Sequence, residues 1–399
     1  MIQIYNVGNK EKNTCCGCTA CLDLCPKKAI RMEVDDQGFK YPTVNQSLCN
    51  DCGLCIKACD NSINYKYDVI SSYAAKNVDE DIVLTSSYGG VVDAFCKKVI
   101  LNGGAVYGVC YDESFKLVYK RASYYEECKK FRKSKYVQAD VEGIFQQIYN
   151  DLYTGIPVLF IGTACYISGL KSYLHFKKCN TDKLFLIDFI CHGVPSPRVF
   201  KDYVDFVNQH KDLNDIIFRN KQKENGKKLN HPWKYGNYSC SLVFKNGRRE
   251  VDTLKSRIFL NLFTSDICLR PQCYNCKYIG IQKPSDITVA DYWGIDKEHP
   301  KFHDSNGVSA VMIHTLKGEE LFNSLENINK IETTVEKISN KQGMLRSSSK
   351  KNEKYDEFWK DYKNYNFKFI AHKYGQFSFS GMLRNSKIYK LWSKFRYGE

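Results

Sequence analysis

The chain reads CCGCTACLDLCP over residues 15–26 and CNDCGLCIKACD over residues 49–60. Each stretch sets cysteines at C-x2-C-x2-C-x3-C spacing: Cys15, Cys18, Cys21 and Cys25, then Cys49, Cys52, Cys55 and Cys59. Gaps of two residues let three thiolates of one loop cap three corners of an iron–sulfur cube. The fourth is carried off by the helical turn that follows and reaches the other cube. The spacing therefore assigns Cys15, Cys18, Cys21 and Cys59 to one 4Fe-4S cluster (cluster 1), and Cys25, Cys49, Cys52 and Cys55 to a second (cluster 2). Gly17 and Gly53 let backbone amides approach the sulfides, and Pro26 closes the first run.

Zinc and disulfides are the plain alternatives. Zinc loops are paired CxxC knuckles rather than triplets, and thiols grouped in this way point to a reducing cytoplasm and an anaerobe rather than a secreted, cross-linked chain. The two runs resemble the dicluster ferredoxin domain of bacteria. One departure is Asp60, where a second proline is usual. A carboxylate beside a cluster disfavours the added electron, which predicts a lowered potential.

With 399 residues the chain is too long for one small core, and its 43% hydrophobic content fits ordered domains. No run of eighteen apolar residues reads as a membrane span, and the start, MIQIYNVGNKEKNT, does not read as a secretory signal. The net charge of +15 invites a nucleic-acid reading. Each thiolate-bound cube contributes a charge of about −2, however, and the lysines are scattered over helical faces rather than gathered in a stripe. The expectation is no nucleic acid, and a basic surface for an acidic electron carrier or an anionic substrate.

Between the cysteine runs, AIRMEV, DDQG and FKYPTV read as strand, turn and strand, which ends a dicluster domain at residues 1–70. A polar linker is expected at Asp68–Asp81. Alternating strands and helices follow, in regions set at residues 82–170 and 171–340. SSYGG leads into a helical apolar period of Val91, Val92, Phe95, Val99 and Ile100, and AVYGVCYD reads as a buried strand. Residues 124 to 150 read as largely helical. IPVLFIG is apolar throughout, as a strand buried on both faces is. It runs into GTACYISGLKSYL, helical from Ser168 to Leu174. KLFLIDFI, CHGVPSP and RVFKDYVDFVNQH repeat the plan of strand, loop and helix. GTAC and CHGVPSP then lie at the carboxyl ends of two strands, the edge where open α/β sheets bind ligands. Further strands are expected at Ile216–Arg219, Ser239–Phe244, PSDITVADYWGID and AVMIHT, with a helix at Lys317–Ile328. The fold class is thus an α+β ferredoxin-like dicluster domain followed by an α/β domain with a mainly parallel or mixed sheet. A basic, aromatic tail occupies residues 345–399.

CLRPQCYNC sets Cys268, Cys273 and Cys276 at C-x4-C-x2-C. A third 4Fe-4S cluster there needs a fourth ligand. Cys191 is the first choice and Cys165 its rival, with a zinc site or free structural thiols as alternatives. The remaining cysteines, Cys16, Cys96, Cys110, Cys128, Cys179 and Cys240, read as buried small hydrophobes. Adjacent residues at a strand end point opposite ways, so Cys191 and His192 do not form a dyad. His192 is a candidate hydrogen-bond donor to a flavin or hydride acceptor.

In order, SSYGG, KSKYVQ, GTAC-x4-GL, DFICHGVPSP, FRNK with W-K-Y, and SDITVADYWGID resemble the beta-subunit family of coenzyme F-420 (deazaflavin) hydrogenases and dehydrogenases over residues 85 to about 335. In bacteria that family shows fused ferredoxin domains and often accompanies polysaccharide biosynthesis. The resemblance implies FAD in the α/β domain beside an iron–sulfur cluster, with hydride chemistry at the flavin. It places Ser87, Gly89, Gly90, Gly162, Thr163, Cys165 and Cys191 to Gly193 around the flavin, and Asp291, Trp293 and Gly294 beside cluster or flavin. Tyr88 and Ala164 depart from the small residue and the proline common at those places, which touches the deazaflavin more than the flavin. The implied function is an iron–sulfur flavoprotein oxidoreductase acting on a small-molecule substrate with a ferredoxin-like carrier or partner redox enzyme. The alternative is a non-catalytic electron-transfer subunit. Phe358, Trp359, Phe367, Phe369, Trp392 and Phe395 among the tail's lysines suit either helices folded back on the domain or a peripheral contact with a membrane or partner.

Overall fold

A computed structural model describes residues 11–59, 66–221 and 239–377. The first unit is small. Strands β1 (Ile30–Val34) and β2 (Lys40–Val44) form the expected antiparallel hairpin, with Ile30 opposite Val44. Its turn is fastened by Asp35, whose Oδ1 accepts hydrogen bonds from the Gln37 and Phe39 amides at 3.1 and 2.9 Å. Two short helices, Ala20–Leu24 and Leu54–Cys59, follow the cysteine triplets and pack on each other.

Eight strands build the larger sheet: β3 (Ser71–Asn77), β4 (Ala105–Tyr111), β5 (Leu117–Ala122), β6 (Val158–Ile161), β7 (Leu184–Phe189), β11 (Ile287–Asp291), β12 (Ser309–Ile313) and β13 (Ile328–Glu332). The order is β13-β3-β12-β11-β7-β6-β4-β5. The four central strands β11, β7, β6 and β4 run parallel, and the flanking pairs are antiparallel. The sheet is therefore mixed, with a parallel centre. β11 and β12 are buried at every position, as strands covered on both faces must be. β6 and β7, on either side of residue 170, are neighbours in this one sheet. A second, three-stranded antiparallel sheet holds β8 (Leu213–Ile217), β9 (Ser241–Phe244) and β10 (Arg249–Val251).

Several expectations change. Residues 71–77 are not linker but β3, hydrogen-bonded between β12 and β13 in the middle of the antiparallel half. Its partners lie more than 230 residues away in sequence, and a polar strand with remote partners carries little local signal. Residues 124 to 150 are helical only at Tyr125–Cys128, Lys129–Phe131 and Ile144–Tyr153. The helix expected to reach Ile328 ends at Asn323 and is followed by β13. The tail folds back: helices Tyr355–Asn364 and Phe367–Lys373 bury Phe358 and Ile370 in the core that also holds Tyr203 and Phe259. The side chains of Trp359, Phe367 and Phe369 pack on the same core, so these residues serve the fold rather than a membrane. Asp60, the W-K-Y segment, Trp392 and Phe395 lie outside the described residues. Among the described residues no helix is long and apolar enough to cross a membrane.

The two units are locked together. The hairpin turn docks on the start of helix Pro197–Val207, whose N-cap Ser196 donates to Gln37 O at 2.5 Å while Arg198 Nη1 donates to Asp36 O at 2.8 Å. Gly38 has φ +86°, and a Cβ there would overlap Arg198 Cβ. Only glycine satisfies both conditions. Ser172 donates to Ala58 O at 2.8 Å, and Lys40 bridges to Asp140 and Glu142 at 2.9 and 2.8 Å.

Candidate metal centres

The first two thiol groups assemble as the spacing predicts. The Cys21 thiol feels the charges of Cys15 and Cys59, with Cys55 as a weaker neighbour, and that of Cys55 feels Cys25 and Cys52. The fourth cysteine of each run thus faces the other loop. Residues in left-handed conformation recur through both loops: Gly17 at φ +73°, Thr19 at +65°, Asp51 at +55° and Gly53 at +69°. Such turns point successive amides inward. The Asp51 amide donates to Cys49 Sγ at 3.4 Å and the Ala29 amide to Cys25 Sγ at 3.3 Å. Burial pushes the Cys15, Cys21 and Cys55 thiols up, so ligation by a cation is what would hold them as thiolates. Cys52 is exposed, whereas Cys21 is buried, which leaves the second group as the solvent-facing one.

The third group differs from the expected one. Cys165, on the first turn of helix Ala164–Phe176 after β6, and Cys191, just after β7, stand at the carboxyl ends of neighbouring parallel strands. Cys273 and Cys276 reach the same place from the turn Pro271–Asn275. The thiols of Cys165 and Cys273 each feel the charge of Cys191, which in turn feels that of Cys276. Amides of Gly193, Val194 and Tyr278 donate to Cys191, Cys273 and Cys276 Sγ, each at 3.4 Å. Burial raises Cys191 to about 11 and Cys273 further.

Cys268 is not among them. It is fully buried in the helical core, its thiol aimed at Leu262 O at 3.9 Å, and burial raises it to about 12. The fourth thiol is Cys165, and it joins Cys191 rather than replacing it. Cys16, expected to be a buried apolar filler, is in hydrogen-bond contact with both Cys18 and Cys165, which joins the first thiol group to the third. Cys96, Cys110, Cys128 and Cys240 are buried as expected, and Cys179 is half-buried. Among the described residues no three His, Cys, Asp or Glu side chains gather closely enough to hold a single metal ion. A zinc site would draw thiolates to within about 4 Å of one another at Zn–S distances of about 2.3 Å.

The glycines assigned to the flavin are filled by packing. A Cβ on Gly89 would meet Ala75 O at 2.7 Å, one on Gly90 would meet Ile82 Cγ2 at 3.0 Å, and one on Gly162 would meet the Tyr119 hydroxyl at 2.6 Å. Ser87 Oγ accepts from the Ser134 amide at 2.6 Å. Thr163 Oγ1 lies 3.2 Å from Cys165 Sγ. Gly193, at φ +127°, presses on Leu269 and Cys273. His192 Nε2 lies 2.6 Å from Asp266 Oδ1, with its ring edge-on to Phe263 at 5.1 Å.

The motifs nevertheless converge. Arg219 of FRNK forms a buried ion pair with Asp291 and lies between the rings of Tyr88, at 5.2 Å, and Trp293, at 5.7 Å. Lys221 donates to Tyr88 O at 2.9 Å, and burial brings it down to about 7. Burial raises Asp291 to about 6, against the pull of Arg219. Beside Trp293 and Gly294 opens a cavity of about 310 Å³, also lined by Lys297, Glu298, Asn340 and Lys341. Sequence reasoning singled out Tyr88, Asp291 and Trp293, but not the cations that join them.

Residues 157–339 match the family model for the C terminus of the coenzyme F420 hydrogenase/dehydrogenase beta subunit, and residues 14–63 match the 4Fe-4S dicluster domain. The chain belongs to the coenzyme F420 hydrogenase/dehydrogenase beta-subunit family. In this family member the dicluster domain precedes the beta-subunit region. It is 43% identical over 42 residues to the Ferredoxin-type protein NapF of Haemophilus influenzae, a match that takes in 10% of this chain and 24% of that protein. The chain thus spans about a quarter of the curated relative's length. It also resembles a chain in a xenon-derivatised structure of the F420-reducing [NiFe] hydrogenase complex from Methanosarcina barkeri. The identity is 14%, the TM-score 0.46, and the match covers 76% of this chain and 94% of that one. The protein is an iron–sulfur electron-transfer protein of the beta-subunit type.

Proposed function

We propose that the chain is an iron–sulfur flavoprotein oxidoreductase. Electrons pass from a ferredoxin-like carrier or partner enzyme to the solvent-facing cluster 2, then to cluster 1, then to a third 4Fe-4S cluster held by Cys165, Cys191, Cys273 and Cys276. The observation that carries this reading is Cys16, which touches Cys18 of the first group and Cys165 of the third. It joins thiols of the two units without intervening solvent. Thiols fit iron–sulfur cubes by donor type and by the amides aimed at their sulfurs.

A bound flavin would supply the exchange between one-electron and two-electron (hydride) chemistry. The packed glycines do not fit it as pocket lining; Tyr88, Arg219, Lys221 and Trp293 do, offering aromatic faces and cations for a ring and a phosphate. In that arrangement Asp291 holds the Arg219 guanidinium in place, and Trp293 walls off water. His192, oriented by Asp266, is the proton donor of this reading. Location in a reducing cytoplasm, an anaerobic host and a polysaccharide-biosynthesis setting belong to the same proposal. The first two are supported by nineteen free thiols with no disulfide among the described residues.

One observation favours the second reading, a non-catalytic electron-transfer subunit that docks on a larger redox enzyme: packing closes the space at Gly89, Gly90 and Gly162. Anaerobic purification followed by iron, sulfide and flavin analysis separates the two. About 12 irons with one flavin per chain supports the oxidoreductase. About 12 irons without flavin supports the subunit, and about 8 irons removes the third cluster from both.

A further inference from the structure

Arg270 is the largest fully buried side chain of the described structure. It belongs to the beta-subunit region but enters the first cysteine loop of the dicluster domain. Its Nε donates to Cys15 O at 2.7 Å, and its Nη2 donates to Lys40 O at 2.9 Å and approaches Cys15 Sγ at 3.7 Å. Its Nη1 donates to Gln138 Oε1 at 2.9 Å, and Gln138 in turn donates to Cys16 O at 2.9 Å. The guanidinium carbon lies 4.3 Å from the centre of the Tyr41 ring.

A buried cation is costly unless a negative charge compensates it. Among the described residues the groups acting on Arg270 are Cys15, Tyr41, Tyr166 and Cys16, with no carboxylate. Neutral carbonyls and a ring cannot supply the missing charge. The Cys15 thiolate and the cluster behind it can, since a cube with four thiolates carries about −2 when oxidised and one more negative charge when reduced. A fixed cation hydrogen-bonded to a ligand sulfur stabilises the more negative state, which raises the reduction potential. On the side of cluster 2 the charge has the opposite sign: Cys49 Sγ faces the Asp51 carboxylate, whose Oδ1 is 3.5 Å away.

We propose that Arg270 is a positioning residue that raises the potential of cluster 1 above that of cluster 2, so that an electron arriving at the exposed cluster moves inward. The step is the transfer of one electron from reduced cluster 2 to oxidised cluster 1, with no bond made and no proton moved. It rests on Cys15 ligating cluster 1 and requires no flavin. A flavin-free preparation with loaded clusters therefore still tests it, and its failure leaves the flavin reading untouched.

The test is a dithionite titration with redox mediators, followed by electron paramagnetic resonance, on the full chain and its Arg270→Gln and Arg270→Lys variants. In Arg270→Gln the reduced-to-oxidised ratio of cluster 1 at a fixed potential is expected to fall at least tenfold, a shift of about 59 mV for one electron. Cluster 2 should stay in place, and Arg270→Lys should recover part of the change. An unmoved cluster 1, or equal shifts of both clusters, overturns the proposal. If Arg270→Gln loses cluster 1 iron, pulsed resonance on the unaltered chain carrying 15N-arginine decides. A 15N coupling to the reduced cluster 1 supports the contact, and its absence overturns it.

Discussion

Gly169 offers a test in which two effects of known size oppose each other. It lies in the interior of helix Ala164–Phe176, against the first cysteine loop. Elsewhere in a helix, Gly→Ala gains about 1 kcal/mol, because alanine loses less backbone freedom on folding. At this position the new Cβ would lie 2.6 Å from Cys18 Sγ and 2.8 Å from Cys18 Cβ. Carbon contacts settle at about 3.5–4.0 Å, so one side must retreat by about 1 Å. Overpacking of this kind costs about 1–3 kcal/mol. The retreating atom is a predicted cluster ligand, and a bond of about 2.3 Å between metal and sulfur cannot stretch by 1 Å. Gly169→Ala should therefore be destabilised by about 0–2 kcal/mol and should lose cluster 1. Cluster 2, whose ligands lie away from this helix, should remain. Iron and sulfide analysis with low-temperature resonance reads the clusters, and thermal unfolding reads the stability. A variant with full iron and stability raised by about 1 kcal/mol would show that Cys18 does not stand against Gly169 as a ligand.

Other outcomes follow from the same geometry. Cys165→Ser should remove about 4 irons per chain, whereas Cys268→Ser should keep the full count and only lower stability; the reverse pattern would restore Cys268 to the third site. Asp93 accepts from Arg132 Nε at 2.6 Å and from the Tyr125 hydroxyl at 2.5 Å while itself buried. Asp93→Ala should cost about 3 kcal/mol in denaturant unfolding, since it strands a cation. Burial lowers His314 to about 4, from about 6.5 in an unfolded chain. The unfolded state therefore binds the proton first, and this contribution to stability, present above pH 6.5, is lost as pH falls towards 4. The shift corresponds to at most about 3 kcal/mol. His314→Gln lacks it, so the stability gap between variant and unaltered chain should narrow on acidification; a constant gap would show that His314 titrates normally.

The dicluster domain was legible because its chemistry is local. Three thiolates two residues apart and a fourth on the next helical turn leave one workable cluster geometry, and the DDQG turn is set by Asp35 bonding its own neighbours. The apolar runs at β6 and β7 were legible too, because burial on both faces erases polar positions. Local pattern stopped there. Cys268 reads as a partner of Cys273 because it is near in sequence, yet the backbone joined to Pro195 by the Leu269 bridge leaves it in the helical core. Cys165 takes part because β6 and β7 are parallel neighbours, so their following loops share one edge. SSYGG and GTAC read as openings for a ligand, but at Gly89 and Gly162 the missing Cβ admits neighbouring protein atoms. Arg270 meets Cys15 across 255 residues. The sequence by itself determined which residues bind clusters in the first unit and where the strands of the parallel centre run. Only the tertiary structure decided which distant thiols meet and which cation faces them, because those contacts depend on strand order and on the docking of two units, and neither leaves a periodic trace in the chain.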